Sequence, residues 1–222
     1  MSLKRRALLL SFLSLISATA PSVQSMSVLS PEAKIEGKSQ AELSLLWWRW
    51  AASFEYGESP VADRTGANCQ LKQNGSVWFL AGTYGSQRTV RKCAVPRGRF
   101  LFFPLINYVV IPCGGESGCS AAITCQEVKE TARSITDNPS ILVLEVDGER
   151  LTGLERQRQA SPECFDMATA STDSKIFPSA ANGYYVMLAP LKPGTHTINF
   201  GGILPAMSHG NHVHRGRAIS PR

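Results

Sequence analysis

The chain has 222 residues, 43% of them apolar and 18% charged, which excludes a low-complexity disordered polymer and leaves ample length for one domain with a real core. Its formal charge of +6 includes Lys4, Arg5 and Arg6. Once those three are set aside only a modest excess remains, and nucleic acid is not an expected partner.

Those three bases form the n-region of an export signal. Ala7 to Ile16 is its apolar stretch, and Ala18-Thr19-Ala20 offers a small-residue cleavage pattern. Pro21 sits badly after that cut, so cleavage before Met26 is the alternative, and residues 1–25 are assigned to the signal. The apolar stretch is shorter than the roughly 20 residues that cross a bilayer, and no later segment is a transmembrane candidate. The expected location is secreted or periplasmic. All six cysteines, Cys69, Cys93, Cys113, Cys119, Cys125 and Cys164, follow the signal and are expected in disulfides.

Residues 26–38 read as an exposed leader and 39–204 as a β-rich globular domain. Ser39-Gln40-Ala41-Glu42 is a capping box that opens a helix running to about Phe54. Leu43, Leu46, Trp47, Trp50 and Phe54 share one broad apolar face; Ala41, Leu45, Trp48 and Ala52 share a second. Trp47 and Trp50 are therefore core residues. Trp48 either packs on a second surface or stacks on a flat ligand such as a sugar.

"VWFLAGT" (77–83) reads as a central strand, "RTVRKCAV" (88–95) as an exposed one, and "RFLFFPLINYVVI" (99–111) as a strand apolar on both faces. A Gly-rich loop covers 112–119, and a second helix is expected from Ser120 to Ile135. "ILVLEVDGERL" (141–151) turns at Asp147-Gly148 as a hairpin. "YYVMLA" (184–189) and "THTINF" (195–200) suggest another. The expected fold is mainly β: an antiparallel sheet sandwich with two packed α-helices, stapled by disulfides.

Between Asp63 and Glu116 there is no acid, while Arg64, Lys72, Arg88, Arg91, Lys92, Arg97 and Arg99 all lie there. From Glu116 to Asp173 eleven acids face five bases. The two segments are expected to pair across the fold.

Glu55, Glu58 and Asp63 follow the tryptophan helix closely enough to suggest a glycosidase acid–base pair. The plainer expectation for Asp63 is a hydrogen-bonded turn with Gly66 and Asn68 leading to Cys69. His196, alternating with Ile198 and Phe200, reads as a satisfied rim residue. His209, His212 and His214 are spaced as metal ligands, yet they sit in a Gly- and Arg-containing tail (205–222) with no acid to orient them. No nucleophile elbow, zinc-protease motif or phosphate-binding glycine loop is present, and no cofactor is expected.

"WWRWAAS", "TGANC", "GSVWFLAGT", "CAVPRGRFLFFPLIN" and "GYYVMLAPLKPGTHTINFGG" together resemble a group of exported bacterial proteins of unassigned function, over roughly residues 45–202. The resemblance implies a Cys69–Cys93 bridge, because both cysteines lie in the shared motifs. That bridge in turn requires residues 70–76 to be a loop, since an intervening paired strand would hold the cysteines about 10 Å apart. Three pairings remain open for the other four cysteines, with Cys113–Cys125 and Cys119–Cys164 preferred. The closing "PGTHTI" segment resembles the last strands of carbohydrate-binding sandwiches, although the chain after Gly202 makes a poor further strand. The resulting expectation is an exported, non-catalytic binding or envelope-associated module. Its partner would be carbohydrate or another envelope component, with Trp48 and Asp63 as candidate ligand contacts. A secreted glycan hydrolase and a histidine-tail metal binder are the alternatives.

Overall fold

The computed structural model describes residues 27–84, 88–112, 123–167 and 175–205. The export signal, Cys113, Cys119, most of the Gly-rich loop and the tail histidines His209, His212 and His214 lie outside the described residues.

Strands β1 (Lys34–Ile35) and β2 (Lys38–Ser39) form a small hairpin ahead of helix α1 (Gln40–Ala52). The Ser39 hydroxyl accepts from the Glu42 amide while the Glu42 carboxylate accepts from the Ser39 amide, so the capping box forms as expected. Strands β3 (Val77–Phe79) and β4 (Phe100–Val110) follow, then helix α2 (Cys125–Ile135). The remaining strands are β5 (Ile141–Val146), β6 (Glu149–Arg150), β7 (Arg158–Ala160), β8 (Ala180–Leu188) and β9 (Ile198–Ile203).

The larger sheet has the order β3-β4-β8-β7 and the smaller one β6-β5-β9. They face each other as a sandwich. Leu101, Phe103, Val186 and Leu188 meet Leu144, Val146 and Phe200, with the Phe103 and Phe200 ring centroids 4.5 Å apart. Helix α1 covers the other face of the larger sheet, where Leu43, Trp47, Trp50 and Phe54 pack on Phe102, Tyr185 and Met187. The structure is thus mainly β with two packed helices.

A bulge at Leu105 decides which face each half of β4 presents. Pro104 pairs with Tyr185 and Ile106 with Tyr184, so one residue is extra and the alternation changes phase. Before the bulge, odd-numbered residues face the smaller sheet. After it, Ile106 points to β9, and Val110 meets Val128 and Ala132 of α2. Val109 turns the other way, to Leu45 of α1. Ile106 fits because residue 202 is glycine: a Cβ there would lie 2.5 Å from Ile106 Cδ1.

Four expectations are corrected. Residues 88–95 form no strand, and β3 pairs with β4 in parallel. The 184–189 and 195–200 segments do not pair as a hairpin: β8 is buried along its whole length and takes β4 and β7 as neighbours, which leaves β9 to pair with β5. Helix α2 begins at Cys125, capped by Thr124 with Glu127, rather than at Ser120. Finally, residues 27–38, expected as an exposed leader, alternate between exposed and half-buried and are tied to the fold. Val28 bridges to Leu188, and the consecutive carbonyls of Leu29, Ser30 and Pro31 accept from the amides of Gln157, Gln40 and Gln159.

Cys69 is bonded to Cys93 with Cα atoms 5.8 Å apart, and residues 70–76 form the expected loop. Another bridge joins Cys125 to Cys164 and overturns both Cys113–Cys125 and Cys119–Cys164. Packing of α2 on the start of β8 brings Cys125 to the segment that carries Cys164 and bridges to Ser179. A polar cluster holds the far end of α2: Arg158 donates to Asn182 Oδ1, Thr136 Oγ1 and the Arg133 carbonyl and pairs with Asp137.

Candidate functional site

Strand β3 covers only the first three residues of β4, and past Phe102 the outer edge of β4 has no partner strand among the described residues. A cleft of about 1940 Å³ follows that edge. Its apolar lining includes the half-buried Phe79, Ile111, Ile198 and Phe200, and its outer rim is the irregular segment 88–99.

Trp48 lines this cleft, but only in part. Its ring meets Trp47 edge-on at 5.2 Å and packs between two core clusters. The buried indole N–H, the Asn107 amide nitrogen and the Tyr185 hydroxyl are brought together, and none of the three completes a hydrogen bond of normal geometry. Burial raises the Tyr185 pKa, and the neighbouring Asn107 and Trp48 donors oppose that rise. The second face of α1 is therefore packed, and Trp48 is half-buried rather than a free platform.

Asp63 does not line the cleft. Its carboxylate accepts from the Thr65 amide at 2.8 Å, the Thr65 hydroxyl at 2.8 Å, the Gly66 amide at 2.9 Å and the Asn68 amide at 3.0 Å. Desolvation pushes its pKa up, but these four donors outweigh it and hold the group at about 2. The side chain is consumed by its own loop, which is the turn expected from the sequence. Trp48 and Asp63 are not brought to one surface. Glu55 reaches the cleft wall, whereas Glu58 does not.

Arg91 braces the rim from inside. Its guanidinium is half-buried and donates to four backbone carbonyls: Asp63, Val61, Ala81 and Gly82. Desolvation lowers its pKa, and the Asp63 charge opposes that fall. Lys92 N donates to the Thr65 carbonyl, and Gly66 lies so close that a Cβ there would stand 2.3 Å from the Lys92 carbonyl oxygen. With the adjacent Cys69–Cys93 bridge, the 63–69 loop and the 88–93 segment form one braced unit.

The ion pairs Arg158–Asp137 and His196–Asp147 both lie outside the basic stretch. Arg91 uses backbone carbonyls instead, and Lys72 lies over the Phe54 ring and donates to the Ser53 carbonyl. Arg88, Lys92, Arg97 and Arg99 line the cleft without an acidic partner among the described residues.

His196 also lines the cleft. Its Nδ1 lies 2.6 Å from Asp147 Oδ2 and its Nε2 2.7 Å from the Lys192 carbonyl. Both partners are acceptors, so only the imidazolium satisfies both contacts. The Asp147 contact and the Lys192 carbonyl raise the His196 pKa. No cluster of three His, Cys, Asp or Glu side chains suited to a metal occurs among the described residues.

Arg91 escaped sequence reasoning because "RTVRK" alternates as an exposed strand does, with nothing local to mark one arginine as turned inward. Asn107 escaped because the bulge two residues earlier, which sets its face, has no composition signal. No protein-family model matches the chain, and no curated protein or solved structure is significantly similar to it.

Proposed function

We propose that this is an exported, non-catalytic binding module whose ligand site is the cleft beside β4. Export draws support from the signal-like residues 1–25 and from the Cys69–Cys93 and Cys125–Cys164 disulfides, which favour an oxidising compartment. No helix among the described residues is long and apolar enough to cross a membrane.

The cleft itself is the observation that carries the reading. It is concave, it runs along an unpaired strand edge, and its rim is held by Arg91 and a disulfide. The hydrolase alternative loses its best residue, because a carboxyl held at about 2 by four donors is a poor proton donor or acceptor near neutrality. A glycan ligand keeps only the half-buried Trp48 in its favour, since Asp63 is spent elsewhere.

Thermal-shift screening of the intact protein against neutral oligosaccharides, acidic polysaccharides and amphiphiles tests the proposal. Hits should be recovered unchanged and should be lost in Ala52→Phe, which fills the cleft wall. Turnover of a hit, or hits indifferent to Ala52→Phe, would overturn it.

A further inference from the structure

From the cleft's chemistry, and resting on the binding-module reading above, we infer that its ligand is an anionic amphiphile: one molecule with an alkyl or acyl body and a carboxylate or phosphate head. The body lies along the half-buried apolar lining, Phe79, Ile111, Ile198 and Phe200, and the head sits at the 88–99 rim.

The rim carries two signals in one stretch. Arg88, Lys92, Arg97 and Arg99 are cationic cleft residues that no carboxylate neutralises among the described residues. Val90 and Val95 stand beside them with 76% and 36% of their surface exposed, an apolar display that a rim for a sugar or a polynucleotide does not need. Cations alternating with exposed aliphatics over an apolar lining match a ligand that is itself half charged and half hydrocarbon.

Rigidity makes this a built site rather than a loose basic loop. Arg91 is tied inward to four carbonyls, Lys92 is tied through its backbone to Thr65, and Cys93 is tied to Cys69. The exposed cations are thereby positioned before any ligand arrives, which lowers the ordering cost of binding. A single lodged molecule is favoured over a bilayer surface because the apolar area lines a concavity, where a flat membrane does not reach.

The test is tryptophan-fluorescence and calorimetric titration of the intact protein with sodium myristate, 1-tetradecanol, dextran sulfate and phosphatidylglycerol vesicles. Variants are Arg88→Ser/Lys92→Ser/Arg97→Ser, which alters exposed side chains only, and Ala52→Phe. Myristate should bind one per chain, more tightly than the alcohol, and weaken about tenfold in the triple variant while the melting temperature holds. Equal affinity for myristate and 1-tetradecanol, or an unaffected triple variant, would overturn the head-group assignment and leave the cleft reading standing. Dextran sulfate binding without myristate binding would replace the amphiphile with an acidic polysaccharide. Association with vesicles alone would replace it with a lipid surface. Failure of every probe, or binding that survives Ala52→Phe, would remove the cleft reading as well.

Discussion

Arg91 and Asp63 meet directly through the backbone: Arg91 Nε donates to the Asp63 carbonyl at 2.6 Å, while the Asp63 carboxylate caps the loop that follows it. Each residue uses its charge to satisfy main-chain groups, and together they fasten the 63–69 loop to the cleft rim. A lysine cannot reproduce this, because a point charge has no planar fork to reach four carbonyls. Arg91→Lys should lower stability by about 2–3 kcal/mol and Arg91→Ala by at least as much, given that hydrogen bonds to charged groups contribute about 1.5–3 kcal/mol. Chemical denaturation measures both. Wild-type stability in Arg91→Lys would show that the carbonyl contacts contribute little.

Acid should act on the same loop. The folded Asp63 pKa of about 2 lies below its ordinary value of 3.8, so the stability it supplies is complete above that ordinary value. It is then lost as pH falls toward 2. Asp63→Asn should flatten the acid limb of the stability profile in that window, and an unchanged limb would contradict the assignment.

His196 should give the opposite sign. Its pKa is raised, so its contribution is full below the ordinary value of 6.5 and disappears as pH rises through the higher folded value. Asp147, whose pKa is lowered by His196 and the Thr197 amide, loses its share only as pH falls through its own folded value. NMR titration of the His196 ring should show the raised value, and Asp147→Asn should return it toward 6.5. An unshifted ring would mean that the 192–197 segment is held by other contacts.

Trp47 and Trp48 should differ in degree. Trp47 is 2% exposed and its Nε1 donates to the Leu80 carbonyl at 3.0 Å, so Trp47→Ala should cost about 3–5 kcal/mol. Trp48 is half-buried and its N–H completes no hydrogen bond of normal geometry, so Trp48→Phe should be nearly neutral, while Trp48→Ala loses packing on two clusters. Thermal melts rank the three. A Trp48→Phe variant as damaged as Trp47→Ala would mean that the Trp48–Tyr185 contact is a full hydrogen bond.

What the sequence disclosed was local. Ser39 and Glu42 announced the start of α1, Asp147-Gly148 announced the β5–β6 turn, and the loop at 70–76 followed from the Cys69–Cys93 pairing. What it concealed was long-range. Nothing near residues 184–200 reveals that β8 needs β7 on its second edge, so the tempting hairpin dissolved into two sheets. Gln40, Gln157 and Gln159 looked like ordinary polar residues, yet they converge on three successive carbonyls and convert an apparent leader into part of the fold. The candidate site suffered most: Trp48 was found at the cleft, but the rim cations mattered through what failed to pair with them.

The central claim is that the unpaired edge of β4 and the 88–99 rim form one binding cleft. Hydrogen–deuterium exchange of the intact protein with and without sodium myristate tests it most directly. Slowed exchange at residues 104–111 and 88–99, reaching the neighbouring parts of β3 and β9, is the predicted result; protection that leaves both segments out, or none at saturating myristate, would contradict it.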